Sequence, residues 1–261
     1  MILKFLNKIK TKGLFWVLKR IIDIFEYRLL GIKRQESNAI AYFCKGDCIE
    51  VGAFSNPAIL PNADSIEYAD IYTSDEAKSL QKNLGFPKSC KNKLVDITIK
   101  FDKNNLPLKN VESESKDCIF SSHSLEHNPN PIATLVDYLR VLKPGGIVYS
   151  IIPNKNFSFD HKRKATKVSY LIERYRSQMW TYTIDEFRDV FYNSDTPTYF
   201  NKKEEDILKA YIENNGTHHI FVYDPSNIIQ IIDFLTKNFN CILVHFDISN
   251  KYDIHFAIKK V

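Results

Sequence analysis

Short apolar segments alternate with helical stretches from residue 47 onward, and this alternation restricts the possible folds more than any other feature of the sequence. Helical stretches at 74–83 and 131–142 separate the apolar ones. Alternation of this kind is typical of a doubly wound, mainly parallel α/β sheet. The first five strands are predicted at 48–51, 66–70, 94–101, 117–122 and 147–152.

The second half of the chain departs from this alternation and then returns to it. Two further strands, 241–246 and 252–258, are predicted to close the chain as an antiparallel hairpin, and Asp224 followed by Pro225 predicts the helix before them. We therefore expect seven strands, the last antiparallel, with a helical insertion after strand 5 at about 154–217. Its helical patches lie near 166–178, 183–193 and 202–213.

Residues 1–40 are predicted to form an N-terminal amphipathic helical segment, followed by one domain at 41–261. The apolar side chains recur at three- and four-residue steps. We expect this segment to pack on the main core, and the alternatives are a membrane-surface contact or an oligomer contact through residues 1–30. The recurring positions are Leu14, Val17, Leu18, Ile21, Ile22, Phe25 and Leu29.

Composition excludes several function classes. Only 8 of 261 residues are glycine, and the sequence contains neither a G-x-G-x-x-G fingerprint nor a G-x-x-x-x-G-K-[ST] phosphate loop. The net charge of +5 is too small for a typical nucleic-acid surface, so no nucleic-acid partner is expected. The five cysteines form no C-x-x-C pair. Free thiols are typical of a reducing compartment, and we expect a cytoplasmic protein without a signal peptide.

Polar side chains follow the predicted strands where each strand ends. Gly52 follows the first strand, Asp70 ends the second, and Ser122 ends the fourth. In open α/β sheets, ligands bind beyond the carboxyl ends of the strands. A glycine turn followed by an acidic residue at the end of the next strand indicates a nucleoside site, because glycine admits close backbone approach and the carboxylate binds ribose hydroxyls.

Six motifs along the chain together resemble the class I S-adenosylmethionine-dependent methyltransferases. They are E-V-G-A-F-S-N-P at 50–57, Y-A-D at 68–70, F-D-K-N-N-L-P at 101–107, S-S-H-S-L-E-H at 121–127, R-V-L-K-P-G-G at 140–146 and I-P-N-K-N-F-S-F-D at 152–160. The likeness is greatest to a subgroup associated with surface-polysaccharide (capsule or O-antigen) biosynthesis. It covers residues 45 to about 175 and implies a Rossmann-like fold, S-adenosylmethionine as cofactor and S-adenosylhomocysteine as product.

The resemblance also implies the cofactor contacts. It places Glu50, Gly52, Ala53 and Asn56 around the methionine part of the cofactor. It places Asp70 on the ribose hydroxyls, and Ser122 and His123, at the end of the fourth strand, below the sulfonium. For the acid that contacts adenine, Asp102 is favoured and Asp96 is the alternative. The common loop of the family has three glycines, of which this chain keeps one.

Methyl transfer needs no general acid, because the leaving group is a neutral thioether. A hydroxyl acceptor must lose its proton, and a base with a pKa near 7 suits that task. We predict His127 and His219 as the pair that supplies this base, with Glu126 orienting one of them or binding the amino group of the cofactor. Structural roles stay open for each histidine. Three histidines near a glutamate also match a metal site, but the resemblance implies a metal-independent enzyme, and no metal is expected.

The insertion is expected to cover the acceptor. Lysines at 155, 162 and 164 form with Arg163 a basic edge that suits a phosphate, and a solvated charged face is the alternative.

The expected function is O-methylation of a small polar glycan precursor, at a sugar hydroxyl or a phosphate or phosphoramidate oxygen. The alternatives are N-methylation of a small amine and a non-catalytic scaffold in glycan assembly. The resemblance implies acceptor contacts from Asn154, Lys155, Asp160, Arg163 and Tyr175.

Overall fold

The computed structural model describes residues 32–53, 57–83, 95–196, 199, 201–213 and 218–261. The chain divides into two compact units, Met1–Ile40 and Ala41–Val261. The predicted helical pattern of 1–40 lies almost entirely outside the described residues, as do the alternative contacts through 1–30. That segment and the predicted domain division therefore stay predictions. No described helix is both long enough and apolar enough to cross a bilayer.

Strands and helices alternate along the described chain. The helices are α1 (Ile32–Phe43), α2 (Ser74–Asn83), α3 (Pro131–Val141), α4 (Val168–Arg176), α5 (Ile184–Asn193), α6 (Glu204–Glu213) and α7 (Pro225–Asn238). The strands are β1 (Lys45–Val51), β2 (Asn62–Asp70), β3 (Ile99–Lys100), β4 (Lys116–Ser122), β5 (Leu142–Pro153), β6 (Cys241–Asp247) and β7 (Asp253–Lys260). Short 3₁₀ turns follow β4 at Leu125–His127 and β5 at Lys155–Phe157.

The seven described strands form one sheet in the order β3-β2-β1-β4-β5-β7-β6. Strands β1 to β5 pair in parallel, and β7 is antiparallel to both β5 and β6. The predicted seven-stranded, mainly parallel sheet with an antiparallel last strand is confirmed. Because the chain order reverses between β1 and β4, the carboxyl ends of these two strands border the crevice in which such sheets bind ligands.

Two elements differ from their predicted bounds. The third strand is two residues long instead of 94–101, since only Ile99 and Lys100 pair with β2 at this edge of the sheet. The fifth strand begins at Leu142, directly after α3, instead of at 147. Lys143 to Gly146 lie between the predicted helix and the predicted strand. They belong to the strand, with Gly145 in the left-handed region at φ +84°.

The predicted insertion after β5 contains α4, α5 and α6. Its buried apolar side chains, including Leu171, Phe187 and Ile207, join the core formed by the sheet and its helices. The predicted start of α7 is confirmed, because the Asp224 carboxylate accepts a hydrogen bond from the Asn227 backbone N–H at 2.9 Å. The insertion therefore packs as part of the domain, on the side where the chain leaves β5.

Candidate active site

The turn after β1 lies against the segment after β4. The Gly52 N–H donates to the Ala69 carbonyl at 2.9 Å, and Gly52 has a φ of +80°. A Cβ at position 52 would lie 3.1 Å from both side-chain atoms of Ser124. The left-handed backbone and this close approach both favour glycine at position 52. Asn56 lies outside the described residues.

Glu50 supports this loop from inside. Its side chain is buried, and its two carboxylate oxygens accept hydrogen bonds from the Ala58 N–H at 2.9 and 3.1 Å. Burial raises the pKa of Glu50 to about 7, although the hydrogen bond from Ala58 opposes the shift. Glu50 thus ties the end of β1 to residue 58 and closes the glycine loop.

The acids predicted for the nucleoside lie at or near strand ends. Asp70 is buried at the end of β2, where its carboxylate accepts a hydrogen bond from the Tyr72 N–H at 3.3 Å. Asp102 is exposed two residues after β3, and Asp96 is exposed three residues before it. The ribose contact of Asp70 stays a prediction, and the adenine contact stays open between Asp102 and Asp96.

A buried carboxylate follows β4. The backbone of His123 adopts a left-handed conformation at φ +49°, and its N–H donates to the Ile151 carbonyl at 2.9 Å. The chain then turns at Leu125–His127, which places Glu126 inside the protein with 1% of its surface exposed. Neither carboxylate oxygen of Glu126 has a hydrogen-bond partner in the described part of the chain.

Three imidazoles surround this carboxylate. The Oε1 atom of Glu126 lies 3.8 Å from His127 Nε2, 3.8 Å from His219 Nε2 and 3.7 Å from His123 Nδ1. We call these four residues the Glu126 cluster. His219 reaches it from the segment beyond the insertion, and its ring centroid lies 4.8 Å from that of His127. The structure thus brings together the three residues predicted to be catalytic.

The imidazoles of His127 and His219 are each held through Nδ1, the ring nitrogen that does not face Glu126. His127 Nδ1 lies 2.8 Å from the His218 carbonyl oxygen. His219 Nδ1 lies 2.9 Å from the Asp160 carboxylate, which also accepts from Arg163 and Ser194. Although burial opposes it, the hydrogen bond with His219 lowers the pKa of Asp160. Both Nε2 atoms are therefore left to face Glu126.

The environments of His123 and His127 shift their pKa values in opposite directions. Burial lowers the pKa of His127, and the neighbouring His219 adds to this effect. Burial also opposes the charged form of His123, but a hydrogen bond with Asp253, at 3.3 Å from Nε2, and the nearby Glu126 raise its pKa.

The predicted acceptor residues do not form one surface. Arg163 is 2% exposed, and its donors bind Asp160, Asp189 and the carbonyls of residues 219 and 220. It therefore holds the His219 segment in place and does not contribute to the predicted basic edge. Tyr175 packs edge-to-face between Phe234 and Phe239, away from the Glu126 cluster.

The remaining predicted acceptor residues lie near the end of β5. Asn154 is buried and donates to the Lys251 carbonyl at 3.0 Å, so it links β5 to the β6–β7 loop. The ammonium group of Lys155 lies 3.3 Å from the His161 carbonyl oxygen. Asp160, expected to contact the acceptor, instead orients His219.

Two contributors to the cluster were not predicted from the sequence. Asp253 begins β7 and binds His123, and the His218 carbonyl anchors His127. Asp253 belongs to a closing hairpin that carried no site prediction, and a backbone carbonyl leaves no signal in the residue pattern. Only the packing of β7 beside β5 shows the contact between Asp253 and the β4 turn.

The chain is similar in sequence to one protein family and in fold to several solved structures. A family model described as a methyltransferase domain matches residues 47–195, more than half of the chain. No curated protein sequence matches the chain significantly. Among solved structures, a SAM-dependent methyltransferase from Aquifex aeolicus is 13% identical, with 87% of this chain and 89% of that chain covered and a TM-score of 0.45. An S-adenosylmethionine-dependent methyltransferase from Mesorhizobium loti is 10% identical, with 87% and 96% covered and a TM-score of 0.46.

Proposed function

Because the chain belongs to the methyltransferase domain family, we propose that it transfers the methyl group of S-adenosylmethionine to an oxygen atom of a small polar acceptor. The observation that carries this proposal is the Glu126 cluster, which lies beside the glycine turn of the ligand crevice. When bound, the cofactor supplies a methyl carbon on a sulfonium centre, and S-adenosylhomocysteine is the product.

Different residues around the crevice contact different parts of the cofactor in this proposal. The backbone of Gly52 and Ala53, with Asn56, borders the methionine part, and the Asp70 carboxylate accepts hydrogen bonds from the ribose hydroxyls. Asp102 or Asp96 contacts adenine. Ser122 and His123, at the end of β4, would contact the bound cofactor near its sulfonium. Glu50 acts indirectly by keeping the glycine turn closed against β1.

The cluster favours an oxygen acceptor over an amine. A neutral amine attacks the methyl carbon with a lone pair that it already has, whereas a hydroxyl becomes a good nucleophile only when its proton is lost. A buried carboxylate with several imidazoles favours that loss of a proton. Orientation of the acceptor oxygen in line with the breaking bond supplies the rest of the rate enhancement.

The acceptor itself is proposed from the resemblance of the sequence motifs. We propose a glycan precursor methylated at a sugar hydroxyl or a phosphate or phosphoramidate oxygen, for capsule or other polysaccharide biosynthesis. Lys155 is its proposed contact, since the side chains of Asn154, Arg163 and Tyr175 are engaged elsewhere. The four cysteines of the described chain have free thiols, which agrees with the cytoplasmic location that we propose.

Calorimetry and a methyl-transfer screen test the function. We expect S-adenosylhomocysteine to bind, and we expect mass detection to find methylated products among activated sugars and phosphorylated glycan precursors. We also expect His219→Ala to lower kcat strongly while the affinity for S-adenosylhomocysteine is retained. The exposed His161 provides the control variant His161→Ala, which should behave as the natural chain does.

Three results would contradict parts of this proposal. No heat of binding with S-adenosylhomocysteine would favour a non-catalytic scaffold. Methylation of amines alone, at a rate unaffected by His219→Ala, would favour an N-methyltransferase. Methylation of a hydroxyl outside the glycan class would leave oxygen transfer in place and remove the proposed acceptor.

A further inference from the structure

The buried carboxylate of Glu126 lacks the partner that its burial demands. Its contact with His123 is 3.7 Å long and those with His127 and His219 are 3.8 Å long, all beyond the length of a hydrogen bond. A buried ionised group without a partner costs several kcal/mol, so such groups are generally paired or bind a metal ion. This side chain points into the space shared with the two Nε2 atoms, which indicates that a further, positively charged occupant belongs there.

The nitrogen and oxygen atoms around this space match a metal-ligand set. One oxygen of Glu126, one nitrogen of His127 and one nitrogen of His219 all lie within 4.8 Å of one another. Two imidazoles and one carboxylate are ligands that Zn²⁺ accepts in open catalytic sites, where a fourth position is left for water or substrate. Mg²⁺ prefers a set made of oxygen atoms, so the two imidazoles favour a transition-metal ion.

The contacts behind the two imidazoles provide a second, independent indication. Metal-binding histidines almost always donate the other ring N–H to a carboxylate or a backbone carbonyl, and this bond leaves the remaining nitrogen free to ligate. His219 makes such a contact with Asp160, and His127 makes one with the His218 carbonyl. Arg163 and Ser194 in turn hold the Asp160 carboxylate.

We propose that Glu126, His127 and His219 bind one divalent transition-metal cation, with Zn²⁺ as the matching ion. Glu126 Oε1 and the Nε2 atoms of the two histidines are the ligands. His123 Nδ1 also faces Glu126, but His123 is not among the residues whose ligand atoms all lie within 4.8 Å of one another, so it is not one of the ligands. This site replaces the expectation from the sequence that no metal binds and that His127 and His219 act as bases.

The catalytic role of the ion rests on the proposed function. An acceptor hydroxyl at the fourth position would have a lowered pKa and would release its proton to solvent. The oxygen lone pair then forms the bond to the methyl carbon, and the electrons of the breaking carbon–sulfur bond stay on sulfur. The charges balance, because the sulfonium becomes a neutral thioether as the alkoxide becomes an ether.

Metal binding is measured directly on the full chain after treatment with a chelator and dialysis. In competition with a chromogenic chelator, we expect the natural chain to bind one Zn²⁺ ion. We expect the affinity of Glu126→Gln and of His127→Gln for Zn²⁺ to be lower by roughly a hundredfold or more. Asp160→Asn removes only an outer contact and should weaken binding by about 10- to 100-fold. His161→Gln, which changes an exposed histidine, should bind Zn²⁺ as the natural chain does. Circular dichroism shows whether each variant is folded.

Cobalt(II) spectra identify the ligand type, because thiolates are also transition-metal ligands and Cys48 and Cys118 are free. We expect the visible bands of a nitrogen and oxygen site without a thiolate charge-transfer band. The proposal is overturned if no ion binds, if a thiolate band appears, or if folded Glu126→Gln binds Zn²⁺ as tightly as the natural chain. If the chain binds S-adenosylhomocysteine but no Zn²⁺, only the metal site is overturned. If it binds Zn²⁺ but not S-adenosylhomocysteine, only the proposed function is overturned.

Discussion

At the scale of single residues, Gly52 shows how backbone geometry creates space for a ligand. Its φ of +80° disfavours most side chains on conformational grounds, and a Cβ would lie 3.1 Å from the Ser124 side chain, which would have to move. Gly145 separates the two effects, since its φ is +84° while its Cβ direction meets only a lysine carbon at 3.9 Å. Comparison of the two positions therefore isolates the steric part.

We expect Gly145→Ala to lower the free energy of unfolding by about 1–2 kcal/mol, the cost of a left-handed alanine, and Gly52→Ala to lower it by more, because Ser124 must also move. Only Gly52→Ala should also weaken the binding of S-adenosylhomocysteine, because the turn at the crevice must shift. Urea denaturation and calorimetry measure the two effects. Equal nucleoside affinities in the two folded variants would contradict a ligand role for the turn.

Asp70 is the residue on which the ribose assignment depends. Hydrogen bonds to a charged group contribute about 1.5–3 kcal/mol each, so we expect Asp70→Asn to weaken S-adenosylhomocysteine binding by roughly tenfold or more. Asp64 is exposed near the other end of β2 and serves as the matched position. An Asp64→Asn variant should bind as the natural chain does. Unchanged affinity in Asp70→Asn would remove the ribose assignment.

At the scale of elements, Arg174 holds the insertion to the domain. Its side chain is 1% exposed and binds the carbonyls of Pro129 and Thr181, the Tyr170 hydroxyl and the Glu186 carboxylate. These contacts join α4 to the start of α3 and to the start of α5. Loss of the guanidinium would leave several buried acceptors without donors.

We expect Arg174→Met to lower the free energy of unfolding by about 3–5 kcal/mol, the usual cost of breaking a buried ion pair by removing one partner. Arg176 lies on the same helix and is exposed, so Arg176→Met should change stability by no more than about 0.5 kcal/mol. Urea denaturation compares the two variants. A small effect of Arg174→Met would mean that apolar packing alone holds the insertion.

At the scale of the whole molecule, Glu50 couples folding to pH. Its pKa rises from 4.5 to about 7 on burial, so the folded protein keeps a proton that the unfolded chain has released. Stability from this group is complete below pH 4.5 and is lost as the pH rises through about 7. The shift corresponds to a loss of about 3 kcal/mol.

We expect Glu50→Gln to unfold at higher urea concentration than the natural chain above neutral pH, and the difference should shrink as the pH falls toward 5. Gln keeps an oxygen that accepts from the Ala58 N–H while it cannot ionise. Glu112 is exposed, and Glu112→Gln should reproduce the pH profile of the natural chain. A constant difference between Glu50→Gln and the natural chain across this range would contradict the shifted pKa.

Local patterns in the sequence predicted the element types and several of their ends. The alternation of apolar runs predicted seven strands, Asp224 with Pro225 predicted the start of α7, and Gly52 predicted the turn after β1. Backbone preferences, capping and hydrophobic periodicity act within a few residues, so each of these features can be predicted from its own segment. The same applies to the polar residues at strand ends, since strand direction fixes which edge they share.

Only the tertiary structure decided which of these side chains meet. Arg163 and Tyr175 stood at plausible acceptor positions in the sequence, but packing buries the first against Asp160 and the second between two phenylalanines. The Glu126 cluster joins residues from two separate segments, the turn after β4 and the segment beyond the insertion. Burial and pairing depend on which surfaces come together in space, and no local preference encodes that meeting. The sequence by itself therefore determined a methyltransferase sheet with a ligand edge, and the fold decided that an unpaired carboxylate and two anchored imidazoles face one another beside it.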